Sequence, residues 1–180
     1  MQKRHVSEHT CYSQKEQALI RYGLDVVLLN GSEILCILII SLFLKKFAVT
    51  LIYTAFYSWL RIHCGGYHCK NKGNCFVSYV LFFLCFVLCT DMELNVLLYL
   101  LYVVSVFYIT VNAPVQHILN PLSASEIRYN RNSTWFILSL SCAVFTLISQ
   151  CRISVLFAVC FNAMMCFILK HSKNYLPGAD

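Results

Sequence analysis

The chain has 180 residues, 59% of them apolar or aromatic and only 12% charged, with a mean hydropathy of +0.66. That composition excludes disorder and a water-soluble domain, and at about 20 residues per span it admits at most six or seven crossings within one membrane domain, 1–180. The formal net charge of +6 comes from 14 Lys and Arg scattered in ones and twos between apolar runs, a pattern of topology signals and not of nucleic-acid binding.

The first twenty-odd residues carry Lys3, Arg4, Glu8, Lys15, Glu16 and Arg21 and lack a continuous apolar run, so no cleavable signal peptide is expected. Within the N-terminal segment 1–28, the apolar positions Ala18, Leu19, Tyr22, Leu24, Val26 and Val27 alternate with charges, which suits an interfacial amphipathic helix or a polar entry into the first span. Apolar runs near 29–44, 47–60, 76–90, 94–112, 134–150 and 153–169 follow. The runs from Phe47 to Leu60 and from Phe76 to Cys89 are 14 residues each, so they must borrow flanking residues, thin the bilayer or be re-entrant. The expected fold class is therefore an all-α integral membrane protein of about six transmembrane helices, some short or re-entrant, with an N-terminal amphipathic helix. Cys36, Cys85, Cys89, Cys142, Cys160 and Cys166 fall inside the apolar runs, where a thiol packs as a small hydrophobe.

Placing both termini in the cytoplasm puts 11 of the 14 Lys and Arg on that side and leaves Lys45, Lys46 and Arg152 outside, along with Asp91 and Glu93. The Lys45–Lys46 pair fits this topology least well, and a shallow hairpin of the first two spans would return it to the inside. Two stretches are too polar for lipid, the segment 61–75 and the proline-bracketed segment 113–133, and both face the cytoplasm in this topology.

The segment from Arg61 to Cys75 packs two histidines, three cysteines, three glycines and three basic residues into fifteen positions. Gly65-Gly66 allows positive φ or close backbone approach, and Asn71-Lys72-Gly73-Asn74 signals a turn. A reversal there would bring a histidine and a cysteine seven residues apart within reach, whereas on one straight helix they would sit about 10.5 Å apart along the axis. Cys75 would open the third span at a helix N-terminus, where the partial positive charge favours thiolate, and His68 would serve as base and then as acid. Local physics leaves Cys64 and Cys69 in competition with Cys75, and His63 with His68. It also leaves a metal site built from His63, Cys64, His68, Cys69 and Cys75, though no CxxC spacing supports one, and a plain loop of reduced thiols.

The pattern Arg61-x3-Gly65-Gly66-x-His68-x6-Cys75 resembles the signature of the accessory gene regulator B family (AgrB), membrane peptidases that process quorum-sensing propeptides. Glu16, Ile20, Tyr22, Gly23 and Leu24 resemble the family's entry to the membrane. Asn112-Ala113-Pro114 and Asn120-Pro121-Leu122, with Arg128 and Arg131, resemble its proline-bracketed cytosolic loop, although Val115 to Asn120 lacks the lysines common in relatives. The resemblance implies that His68 and Cys75 are the catalytic pair, that Arg61, Gly65 and Gly66 support them, and that Pro114, Pro121 and Arg128 belong to the substrate groove. It implies a cysteine endopeptidase that needs no metal or other cofactor and cuts the C-terminal tail from a small AgrD-like propeptide. Cleavage passes through a thioester that an internal Cys or Ser of the propeptide resolves into a thiolactone or lactone. It further implies a multi-pass location in the cell membrane of a Gram-positive-type bacterium, contact with membrane lipids, and a homodimer. The competing functions are a metal-handling membrane protein using the His/Cys cluster and a non-catalytic peptide exporter. The exporter is disfavoured because no ionisable residue lies mid-span after Glu33, and ATP-driven chemistry because no G-x-x-x-x-G-K-[ST] loop exists.

Overall fold

The computed structural model describes residues 14–65, 72–117, 121–173 and 175–176. Six helices follow in order: α1 Gln14–Phe43, α2 Phe47–Cys64, α3 Lys72–Cys89, α4 Val96–Asn112, α5 Ala124–Leu147 and α6 Arg152–Lys170. A two-stranded antiparallel ladder pairs β1 Gln116–His117 with β2 Tyr175–Leu176.

Helix boundaries follow from local chemistry. Helix α1 ends where Lys45 takes a positive φ of 56° and the Lys46 N–H bonds back to Ser41 O at 2.9 Å, a left-handed stop in which lysine occupies the position glycine usually fills. Asn95 caps α4 by accepting from Leu98 N at 3.0 Å, and α4 stops at Asn112, two residues before Pro114. Ser123 and Glu126 form a reciprocal capping box at the start of α5. The far end of α5 is closed by Arg152, whose guanidinium donates to Phe145 O at 2.9 Å and Thr146 O at 3.2 Å. That charge, which the topology count left on the outside, has a structural task.

Three boundaries differ from the sequence expectation. The N-terminal segment is not an interfacial helix separate from the first apolar run but, as the other reading had it, an entry into that run, because α1 continues without a break from Gln14 to Phe43; no Pro or Gly cap interrupts it, and Gly31 sits mid-helix in open space. Helices α2 and α3 are 18 residues each, so the short runs do borrow flanking residues, Arg61–Cys64 and Lys72–Cys75. Of the segment 61–75, expected as a loop, residues 61–64 and 72–75 are thus helical, Lys72 to Asn74 among them although expected in a turn. Similarly, residues 124–133 of the segment 113–133 are helical, so Arg128 and Arg131 lie on α5.

Helix α6 is the central post, its Val155, Ala158, Val159 and Cys166 fully buried, and it packs against α2, α3, α4 and α5. Stacked rings fill the space around it, Tyr53 on Phe86 at 4.5 Å and Phe82 on Phe161 at 4.7 Å, and Tyr102 on Phe145 at 4.0 Å. Polar groups also tie helices together. Asn162 Nδ2 donates to Tyr57 O at 3.1 Å, Ser154 Oγ donates to Val49 O at 2.9 Å, and Tyr102 and Ser141 share a hydroxyl pair at 3.0 Å. The outer surface is strongly apolar, with Phe43, Leu88, Val96, Leu97, Val103, Phe107 and Phe136 all exposed. Among the described residues, Ser149–Lys170 is by itself long and apolar enough to cross a bilayer, and Asn30–Phe43, Phe76–Cys89 and Val96–Asn112 are shorter apolar helices.

The connections sort to two ends of the bundle. At one end Lys46 of the α1–α2 turn pairs with Asp91 of the α3–α4 turn, and Lys45, Lys46, Asp91, Gln150 and Ile153 line one shared depression. At the other end lie the end of α2, the segment after α4 and the end of α6, joined by a Gly65–Val115 bridge and a Lys170–Asn112 hydrogen bond.

Candidate active site

Gly65 closes α2 with φ 72° and ψ −158°, a conformation open in practice only to glycine. A Cβ there would stand 2.2 Å from Val115 O. The close approach is fixed by Val115 N donating to Cys64 O at 2.9 Å, so the first glycine of the motif joins the motif to the loop after α4. On the other side of that joint, Cys166 Sγ of α6 donates to the carbonyls of Cys64 and Gly65 at 3.8 Å each.

Gly66, His68 and Cys69 lie outside the described residues. Cys75 is described by its backbone alone, which lies in the first turn of α3, at the positive end of the helix dipole. Cys64, a competitor of Cys75, and His63, the competitor of His68, both lie among the described residues. Cys64 is fully buried, its Sγ 3.7 Å from Thr134 Oγ1, which makes it a packing residue. His63 has its Nδ1 3.1 Å from Asn130 Oδ1 and its ring against Tyr129, centroids 5.8 Å apart. Both therefore point to α5 and serve to seat the end of α2 on it. Among the described residues no group of three His, Cys, Asp or Glu could hold a metal ion. Arg61 stands one turn before Gly65, within electrostatic reach of Cys64 and Cys166.

Of the residues expected in a substrate groove, Pro114 is half-buried and follows Ala113 through a cis peptide bond, next to the Gly65–Val115 joint. Pro121 is exposed. Between them Gln116 is buried, and its Oε1 accepts from Leu122 N at 3.2 Å, folding the segment on itself. Arg128 lies on α5, lining a shallow depression with Ala124, Ser125, Tyr129 and Asn132. The loop and Arg128 thus flank the same end of the bundle as Gly65 and His63. Two features were missed by the sequence. One is the pairing of the loop with Tyr175–Leu176, which two residues of strand cannot signal in advance. The other is the burial of Glu33, which the sequence showed only as an ionisable residue in an apolar run.

The accessory gene regulator B family matches residues 3–170 of the chain, nearly its whole length. The chain belongs to the AgrB family. It is also 28% identical over 142 residues to an AgrB-like protein of Clostridium beijerinckii, a match covering 78% of this chain and 68% of that protein. No solved structure matches the chain. AgrB membership associates it with the processing of quorum-sensing propeptides and, with its apolar helices, with the membrane.

Proposed function

We propose that this AgrB-family protein is a membrane-embedded cysteine endopeptidase in which Cys75 and His68 cut the C-terminal tail from an AgrD-like propeptide. The observation that carries this is the family match over residues 3–170, which includes the whole Arg61-x3-Gly65-Gly66-x-His68-x6-Cys75 pattern. It is supported by the helix start that carries Cys75 and by the structural roles of Cys64 and His63, one rival of Cys75 and one of His68.

The reaction follows from thiol chemistry. His68 takes the Cys75 proton, and the thiolate attacks the scissile carbonyl carbon. The C–N bond then breaks as His68 returns the proton to the leaving amine, leaving an acyl thioester on Cys75. An internal thiol or hydroxyl of the propeptide loses its proton, attacks the same carbonyl and expels the Cys75 thiolate, closing a thiolactone or lactone. The helix dipole and the basic residues Lys70 and Lys72 favour the thiolate. Gly65 and its joint to Val115 anchor the chain three residues before His68. Pro114, Pro121 and Arg128 form the walls along which the propeptide lies.

The six helices act as six membrane crossings, and the pairing of turns at each end supports this. Lys45, Lys46 and Asp91 share one end, whereas Arg61, Lys72, Arg128, Arg131, Lys170 and Lys173 belong to the other, which is the cytoplasmic one. Because the Lys45–Lys46 turn lies beside the α3–α4 turn, α2 runs from one end of the bundle to the other, and a shallow hairpin is disfavoured. Lipid covers the apolar outer surface, and a second copy could share it as a homodimer.

The test is the intact mass of a co-expressed candidate propeptide. Loss of the tail with the wild type and with Cys69→Ala, and its retention with Cys75→Ala and with His68→Ala, is the expected result. Tail removal that survives Cys75→Ala would overturn the assignment and send the question to metal analysis of the purified protein.

A further inference from the structure

After α6 the chain turns back toward the segment that follows α4. The Ser172 N–H bonds to Leu169 O at 2.9 Å and the Tyr175 N–H to Ser172 O at 3.3 Å, and Tyr175, half-buried, packs on the core. Strand β2 then lies antiparallel to β1, with Leu176 opposite Gln116 and Tyr175 opposite His117. The segment it meets has two edges. On one, Val115 N donates to Cys64 O at 2.9 Å and Val115 bridges to Gly65. Alternate peptide groups of an extended strand point to opposite sides, so Gln116 turns its own N–H and C=O the other way, toward Leu176. The Tyr175 N–H, already bonded to Ser172 O, fits the same alternation, which leaves Leu176 as the residue whose amide faces Gln116.

Val115 and Gln116 are both buried, so the edge at Gln116 needs a partner for its peptide groups. The partner it has is thin. A ladder of two residues on a half-buried segment opens at small cost, whereas the edge beneath it is fixed by the Gly65–Val115 joint. A firm edge under a short, exchangeable strand accepts an extended peptide, because the main chain supplies the bonds and the sequence of the newcomer matters little. The edge is also near the motif, since whatever pairs with Gln116 lies two strand spacings, roughly 10 Å, from Gly65. We propose that β2 holds the place of the substrate in cis: an extended stretch of the propeptide displaces Tyr175–Leu176 and pairs with Gln116–His117. The proposal rests on the proposed function, in which the propeptide lies beside Pro114.

The experiment measures kcat and KM for tail release from a synthetic propeptide by the full-length protein in nanodiscs, with melting temperature recorded for every variant. Leu176→Pro removes the N–H that faces Gln116 and weakens β2 without touching the motif. It is expected to lower KM about fivefold and to leave kcat within about twofold, because the propeptide no longer competes with a strand already in place. A second measurement uses the wild type and propeptides N-methylated at one residue at a time. KM is expected to rise about fivefold where the methyl replaces the N–H that faces Gln116, and to stay unchanged at the residues on either side. An unchanged or raised KM in Leu176→Pro overturns the proposal, as does a methylation scan without such a position, and the scan decides the matter if Leu176→Pro does not fold. Cys75→Ala in the same assay separates the two questions. Tail release surviving there removes the cysteine assignment and leaves the strand exchange to its KM results, whereas a dead Cys75→Ala beside a wild-type KM in Leu176→Pro removes only the exchange.

Discussion

Gly65 shows how one residue can carry a structural constraint that its neighbours do not share. Its φ of 72° and the 2.2 Å that would separate a Cβ from Val115 O act together, because the atom in the way is backbone and cannot rotate aside. Gly65→Ala is expected to cost on the order of 2–3 kcal/mol and to separate the motif from the loop after α4; a melting curve and the tail-release assay on the same preparation check it, and an unchanged melting temperature would sink the argument. The sequence marked this position, since a Gly pair beside a His/Cys cluster points to close backbone approach. It could not say that Val115 is what approaches, because residues 66–114 intervene. Asn162 is the opposite case. Nothing in the run around it distinguishes a buried amide from a lipid-facing one, yet it is fully buried and ties Tyr57 to α6. Asn162→Leu is expected to destabilise the bundle by about 1–2 kcal/mol, as a lost interhelical hydrogen bond does in the membrane; thermal unfolding in detergent reads the change.

At the scale of elements, the apolar runs located the helices and missed their ends. The 14-residue runs became 18-residue helices because helical hydrogen bonding continues through Arg61–Cys64 and Lys72–Cys75, whatever the polarity of those residues. Hydropathy registers where lipid begins, not where the backbone stops being helical. The start of α5 was legible in principle, since Ser123-x-x-Glu126 is a capping box in the sequence. In the structure the Ser123 hydroxyl and backbone N–H both hold the Glu126 carboxyl below its ordinary value. A depressed carboxyl contributes stability that is complete above its ordinary pKa and is lost as pH falls through the folded one. Acidification below about pH 4 is therefore expected to fray the first turns of α5, near Arg128, while the core helices stay intact. Amide exchange over 124–130 checks this, and equal protection at neutral and acid pH would contradict it.

For the whole molecule, the decisive feature is the sorting of connections to two ends. The Lys46–Asp91 pair and the shared depression with Gln150 bring three turns together, and the Gly65–Val115 bridge and Lys170–Asn112 contact bring the motif, the proline loop and the end of α6 together. Alkaline phosphatase fused after Lys46, Met92 or Gln150 is expected to be active outside the cell, and fused after Ser123 or Lys173 inactive. Activity at both sets of positions, or a silent fusion after Lys46 alone, would restore the shallow hairpin of the first two spans.

Composition, 59% apolar or aromatic in 180 residues, pointed to a membrane protein, and the spacing of apolar runs pointed to the six helices seen among the described residues. The residue pattern from Arg61 to Cys75 pointed to the family that the comparison then showed. Tertiary structure alone decided which members of the crowded motif are packing residues, since His63 and Cys64 reach Asn130 and Thr134 some seventy residues away. The reason is the same in each case: composition and periodicity report on what a residue's own helix must do, whereas the partner of a buried polar group is set by which helices lie side by side, and that follows from packing over the whole chain.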